Sequence, residues 1–305
     1  MSPARALTLV LLGTAGACAW QAAALAADLG PGVVVQQGTE LPAVSGLNGK
    51  WEFDPGILTG GGAVRAAGSI SAPLGDRIGV QGDAFGSYGS NGLAYGGAGH
   101  IFTRDPKSYL LGVTAAFVNV PGASIGAVGV EGEFYLDQFS LEGWAGLAGL
   151  NYVDPAMLDK TGAFAMGDIG YYATPDFKLA VGGTYVLGDL ALHAGAEYLF
   201  HDFGMPLAVT GDARLHTDGN YSLMVGLKGY FGGDDGKSLI DRQRQDDPDN
   251  KALDLFGAAG DQLYAQADTG PVTHPPGYYT TQIACEAAGY VWVTEGTDHC
   301  DYLSS

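Results

Sequence analysis

Positive charge, cysteine and charge of any kind are scarce in this chain. Its 305 residues carry 14 Lys plus Arg against 33 Asp plus Glu, 3 Cys, and only 15% charged residues in all. A typical soluble domain carries about 25% charged residues. The formal charge of −19 argues against nucleic acid and anionic headgroups as partners, because both reward a basic surface. What is abundant is glycine, with 50 residues, more than twice the usual share of about 7%. Few charges with so much glycine describe neither a disordered acidic tail nor an ordinary enzyme.

At the N-terminus a single positive charge, Arg5, precedes the apolar run Ala6 to Leu12, and small residues continue to Ala27 with Ala24-Leu25-Ala26 as an A-x-A cleavage site. This reads as a secretory signal peptide, residues 1–27, and is set apart from the fold. Cys18 follows Ala15-Gly16-Ala17, which lacks the leucine expected three positions upstream of a lipidated cysteine. Once the signal is removed, Cys285 and Cys300 remain as an even pair in an exported protein, which reads as a disulfide.

The stretch Ser108 to Val130 is long enough, and free enough of charge, to suggest a transmembrane helix. Such a helix would place Pro121 and Gly122 at mid-membrane, in a chain whose other segments repeat with period two. Leu190, Leu192, Ala194, Ala196, Tyr198 and Phe200 alternate with His193, Gly195, Glu197 and His201. Likewise Leu207, Val209, Ala213 and Leu215 alternate with Thr210, Asp212, Arg214 and His216. Such alternation describes strands with one apolar and one polar face. Ser108 to Val130 is therefore read as two strands joined by a turn at Pro121 to Ser124. In Phe139 to Tyr152 and Ala163 to Ala173 both parities carry large residues, and bulges are expected there.

Turn signals such as Gly89-Ser90-Asn91-Gly92, Asp137-Gln138, Thr174-Pro175-Asp176 and Thr217-Asp218-Gly219-Asn220 cut Ala63 to Phe231 into eleven segments. Leu47 to Phe53 supplies a twelfth. Segments of about ten to thirteen residues with short turns exceed the five or six usual in soluble sheets. Aromatic residues sit near segment ends, among them Tyr88, Phe102, Phe117, Tyr135, Phe139, Tyr152 and Phe231, where they would form two interfacial girdles.

On this architecture, together with the signal peptide and the final strand Tyr221 to Phe231, the chain resembles the porin-like small outer-membrane β-barrels of Gram-negative bacteria. The resemblance implies an all-β fold: an antiparallel up-and-down transmembrane barrel of about 12 strands, in outer-membrane lipid. The expected organisation is a lead-in over residues 28–44, a barrel over 45–231, an acidic linker over 232–279 and a small disulfide hairpin over 280–305. An even strand count places both barrel ends on the periplasmic side, and the tail with them, facing a periplasmic or cell-wall component. The linker reads as solvated, with one or two short helices around Ala252 to Gln266. No predicted loop is long enough to constrict a pore.

Motifs that would carry chemistry read as structural. Gly122-Ala123-Ser124-Ile125-Gly126 matches the G-x-S-x-G elbow, but that elbow needs a following helix, and Ile125 to Leu136 alternates as a strand. His193, Glu197 and His201 are spaced by four, which on a strand separates neighbours by about 13 Å, too far to share an ion. Gly232 to Ser238 ends like a phosphate loop, yet Phe231 replaces its first glycine and Asp234 and Asp235 would repel phosphate. Asp246-Asp247-Pro248-Asp249-Asn250 lacks the ordered spacing of a calcium loop. No catalytic residue, cofactor or metal is expected. Charges on the inner parity are Arg65, Asp83, Glu131, Glu133, Lys178, His193, Glu197, Asp212, Arg214 and Lys228. In a narrow barrel these would pair across the lumen and help to fill it, since an unpaired buried charge is costly. The function expected is a structural membrane barrel or a narrow passive pore for small solutes. The alternatives are a secreted or cell-surface soluble β-protein with an adhesive or structural role and, third, a barrel enzyme acting on lipid.

Overall fold

A strand of ten or more residues leaves a row of backbone N–H and C=O groups to pair along each edge, and twelve such strands pair them by closing on themselves. The computed structural model describes residues 41–154, 157–260, 263, 281–287, 291–294 and 299–301. The signal peptide read from residues 1–27 lies outside the described residues. The strands are β1 (Asn48–Leu58), β2 (Gly61–Pro73), β3 (Ile78–Gly89), β4 (Gly92–Asp105), β5 (Tyr109–Val120) and β6 (Ala123–Leu136). They continue as β7 (Phe139–Tyr152), β8 (Lys160–Thr174), β9 (Phe177–Val186), β10 (Asp189–Phe200), β11 (Leu207–His216) and β12 (Tyr221–Phe231). Each pairs antiparallel with its chain neighbours, and β1 pairs with β12 to close the barrel. This is the up-and-down 12-stranded barrel read from the sequence.

The first strand runs five residues beyond the expected end at Phe53, through Pro55 to Leu58. Proline has no N–H to give a ladder. The closing seam accommodates it: the β1–β12 pairing runs from Phe53↔Leu227 to Gly56↔Met224 with no pair at Asp54 or Pro55. The turn Pro121-Gly122 is tight, with Gly122 at φ 84°, a conformation that suits glycine. Ser124 is the second residue of β6, paired with Asn151, and not part of the turn as the sequence suggested. Of the two segments where bulges were expected, Ala163 to Ala173 shows a register shift between Tyr172 and Thr174, while Phe139 to Tyr152 pairs with both neighbours without one.

The outer face is apolar. Leu111, Val113 and Phe117 on β5, and Val128, Val130 and Phe134 on β6, are exposed, Val130 to 65% and Leu192 on β10 to 70%. Large apolar groups in that proportion suit hydrocarbon and not water. Exposed rings gather at both rims, with Tyr88, Tyr95, Phe117, Tyr185 and Tyr221 at one and Trp51, Phe139, Tyr171 and Phe231 at the other. Phe102, Tyr135 and Tyr152 do not join the girdles: they stand on the inward parity, where Phe102 and Tyr135 are buried. No helix among the described residues is long and apolar enough to cross a membrane.

With an even strand count both barrel ends lie at one mouth, here termed proximal, and the opposite mouth is distal. The main departure from the sequence reading lies beyond Phe231. Gly232 and Gly233, at φ 79° and 66°, turn the chain back at the proximal mouth, and the segment expected as a solvated linker runs up the inside of the barrel. It forms α1 (Leu239–Gln245), α2 (Lys251–Leu255) and a π-helical turn, Phe256–Gly260. Ser238 caps α1 by accepting the Asp241 N–H, with Arg242 and Arg244 in the last turn, and Asn250 caps α2 by accepting the Leu253 N–H. Ser238 therefore begins a helix and closes no phosphate loop. The tail's charges do not hold it in solvent: Lys237 pairs with Asp246 and Lys251 with Asp254 within the tail, and the inner wall supplies further hydrogen-bond partners.

Farther on lie α3 (Gln282–Ala287) and a pair of short strands, β13 (Val291–Val293) and β14 (His299–Asp301). Cys285 and Cys300 are disulfide-bonded, and both are buried. The expected hairpin is thus a helix tied to the second strand of a two-stranded sheet.

Candidate functional site

The lumen is the candidate site, and it divides into two halves. In the proximal half the inward parity of the strands is polar, and it binds the tail by hydrogen bonds. Leu239 N–H donates to the Asp176 carboxylate at 3.0 Å and Ile240 N–H to Pro175 O at 3.0 Å, fixing the start of α1 on the β8–β9 turn. Arg244 donates to Phe139 O at 2.8 Å and stacks over Tyr135 and Tyr172 at 5.1 and 5.5 Å. Asp246 accepts from Ser45 N–H at 3.1 Å and Asn48 Nδ2 at 3.2 Å, and its carbonyl accepts from Ser71 Oγ. Higher up, Lys50 Nζ donates to Pro248 O at 2.6 Å, and Asn250 Nδ2 to Ser69 Oγ at 3.3 Å. Lys251 N–H donates to Asp83 at 2.9 Å.

Every charge assigned to the inner parity from the sequence lies buried or half-buried on the inner wall and makes an ionic contact, with Arg65, His193 and Arg214 toward the distal ends of their strands. Arg65 pairs with Asp54 at 3.1 Å, and Glu133 faces Arg104 at 3.9 Å. His100 bridges Asp83 at 2.6 Å and Glu131 at 3.2 Å. Lys178 pairs with Glu142 at 3.0 Å, and Lys228 with Glu197 at 2.9 Å and Glu52 at 3.0 Å. His193 lies between Asp168 and Asp212, at 2.7 and 2.6 Å, and Arg214 is 3.6 Å from Asp212. The i, i+4 set does not converge: Glu197 also accepts from Gln243 at 3.2 Å, while His201 meets Asp176 at 3.2 Å beyond the end of β10. Such pairs offset the cost of burying charge, and their loss would leave partners stranded.

Sequence reasoning missed Lys50, Glu52, Asp54, His100, Arg104, Glu142 and Asp168. The signal was present, since Lys50, Glu52 and Asp54 repeat every second residue along β1, and Glu142 stands opposite Asp168 in register.

Along β3 to β8 the distal half of the inner wall turns apolar, while Arg65, His193 and Arg214 keep it charged on β2, β10 and β11. Leu58, Phe85, Val118, Ile125, Leu150 and Phe164 form one buried cluster with Leu255, Phe256, Ala258, Ala259 and Leu263 of the tail. Phe256 meets Phe85 with ring centres 4.9 Å apart, and Trp144, 2% exposed, sits edge-on to Phe164 at 4.6 Å. Glycine permits close backbone approach here. Gly129 and Gly146 face each other across β6 and β7, and a Cβ on either would lie about 2 Å from the neighbouring backbone carbonyl. A Cβ on Gly257 would lie 2.5 Å from the Arg214 guanidinium.

A cavity of 130 Å³ lies between wall and tail, bordered by Lys50, Glu52, Arg65, His193, Glu197 and Asp212. A space of 280 Å³ lies at the distal mouth around Tyr152, Lys160, Leu187 and Leu263. Among the described residues no group of three or more His, Cys, Asp or Glu is arranged to hold a metal ion. The acidic run at 246–250 is engaged instead. Asp246 is bound as above, and Asp247 is buried with no hydrogen bond to its carboxylate oxygens.

No protein-family model matches the chain, and no curated protein matches it. Solved structures with a similar barrel include a KdgM porin in complex with disordered oligogalacturonate, at 10% identity and a TM-score of 0.45, spanning 60% of this chain and 99% of that one. The outer membrane protein Omp33 of Acinetobacter baumannii is similar at 12% identity and a TM-score of 0.39, over 61% of this chain and 98% of that one. The translocator domain of the autotransporter NalP from Neisseria meningitidis is similar at 13% identity and 0.40, over 61% and 88%. The likeness is one of barrel fold alone.

Proposed function

We propose that the protein is an integral outer-membrane β-barrel closed by its own C-terminal segment. At rest it is a structural barrel, and it becomes a narrow passive pore for small solutes only when residues 239–263 leave the lumen. The observation that carries this reading is the disposition of the tail, hydrogen-bonded to the proximal wall and packed against the distal one, inside a barrel whose outer face is apolar. The outer face suits lipid, the strands of ten to fifteen residues suit a bilayer's thickness, and the filled lumen suits a closed state. A soluble β-protein would leave that outer face in water.

Planar-bilayer conductance tests the reading. The full chain is expected to be silent, and a chain ending at Gly233 to conduct in steps. A full chain that conducts as steadily as the shortened one would make it an open pore and refute the closed barrel.

A further inference from the structure

We infer that the C-terminal segment crosses the barrel completely, so that the disulfide motif spanning Gln282 to Asp301 stands on the membrane face opposite the one that holds the barrel's two ends. This rests on the closed-barrel reading and extends it to the placement of the tail.

The path is read from successive contacts. The chain leaves β12 at the proximal mouth, and α1 is bonded to Asp176 and Phe139, both at that mouth. Residue by residue it then rises: Pro248 meets Lys50, three residues into β1, and Lys251 meets Asp83 midway along β3. Phe256 packs on Phe85, toward the distal end of β3, and Gly257 lies against Arg214, two residues short of the distal end of β11. Leu263 borders the distal space together with Tyr152 at the end of β7 and Lys160 at the start of β8. From Asp246 onward the contacts of the described residues never turn back.

From Leu263 the chain has two ways of returning to the proximal side, and both are closed. The lumen is occupied, and the cavity of 130 Å³ beside the tail holds about ten waters and no second pass of polypeptide. Outside the barrel the return would lead through hydrocarbon, where every backbone polar group must be satisfied within the segment. Residues 264–280 include Asp268, Gly270, Pro271, His274, Pro275, Pro276 and Gly277, which is no transmembrane sequence. The motif closed by Cys285 and Cys300 therefore remains distal. With the barrel ends periplasmic, the distal face is the cell exterior, and the protein is a carrier that presents a small disulfide-bonded motif there, threaded through its own pore. This replaces the periplasmic tail expected from the sequence.

Single cysteines read by a membrane-impermeant maleimide on intact cells test it in the full-length chain. Gln282→Cys reports on the motif, Asp218→Cys on the distal β11–β12 turn, and Lys107→Cys on the proximal β4–β5 turn. Heat-modifiable gel migration confirms that each variant is folded. The inference predicts that Gln282→Cys labels together with Asp218→Cys, and that Lys107→Cys labels only after the outer membrane is permeabilised. Labelling of Gln282→Cys only in company with Lys107→Cys would overturn the crossing. A barrel silent in conductance would still stand in that case, so the two readings fail separately.

Discussion

The proximal half of the lumen and the distal half of its β3–β8 wall are closed by one segment, yet they hold it by different physics. Proximally, Lys50, Asp83, Ser71 and the Phe139 carbonyl make directional bonds to the tail, for which water is a serviceable substitute. Each such bond contributes only about 1 kcal/mol net, somewhat more where a charge takes part. Distally, Phe85, Ile125, Leu150 and Phe164 have no hydrated alternative, and each large apolar side chain favours burial by about 1.5–3 kcal/mol. The difference teaches that the tail is part of the fold at the distal end and an adjustable seal at the proximal one. An aqueous channel lined by the distal wall would carry its cost along its whole upper length.

The comparison is broken most completely by ending the chain at Gly233, which strips both halves at once. That barrel is expected to melt at a markedly lower temperature than the full chain, as read by heat-modifiable gel migration, and to show the conductance described above. Next comes the distal half alone. Phe256→Ala leaves a cavity against Phe85 and is expected to cost about 3–5 kcal/mol of tail docking, seen as transient openings in a bilayer recording. Lys50→Met, which should spare the distal half, is expected to open less often than Phe256→Ala.

Asp247→Asn replaces a buried carboxylate that makes no hydrogen bond by a neutral group of the same shape, and is expected to hold the tail more firmly, seen as lower protease sensitivity of residues 239–263 in detergent. A smaller effect is expected of Lys50→Met, which removes the donor to Pro248 O and costs about 2 kcal/mol. Its measure is the protease sensitivity of residues 239–263 in detergent.

How much of this was legible in the sequence follows the same division. Period two along β9, β10 and β11 was plain, because lipid outside and charge inside give the two parities opposite character, and the ten inner charges could be read from parity alone. Pro55 hid the far end of β1, since proline reads as a strand breaker and its tolerance depends on a gap in the closing ladder. The threading was hidden for a different reason. Asp246, Asp247, Lys251 and Asp254 look solvated, and nothing local distinguishes water from a wall that offers Lys50, Asn48 and the Asp83 carboxylate as partners. Two features did carry the signal. Trp144, Leu150 and Phe164 put large apolar groups on the inner parity, and Leu255, Phe256, Ala258 and Ala259 put an apolar cluster in the tail. Each needs something to cover it, and each covers the other.

Cross-linking within native outer membranes tests the occupied lumen most directly. The pairs Ser69→Cys with Asn250→Cys, for the proximal half, and Phe85→Cys with Phe256→Cys, for the distal half, place thiols on facing side chains of wall and tail. A short bifunctional thiol reagent is predicted to join both pairs in folded, heat-modifiable protein and to shift their migration in reducing gels. Folded protein in which neither pair can be joined would put the tail outside the barrel and contradict the account.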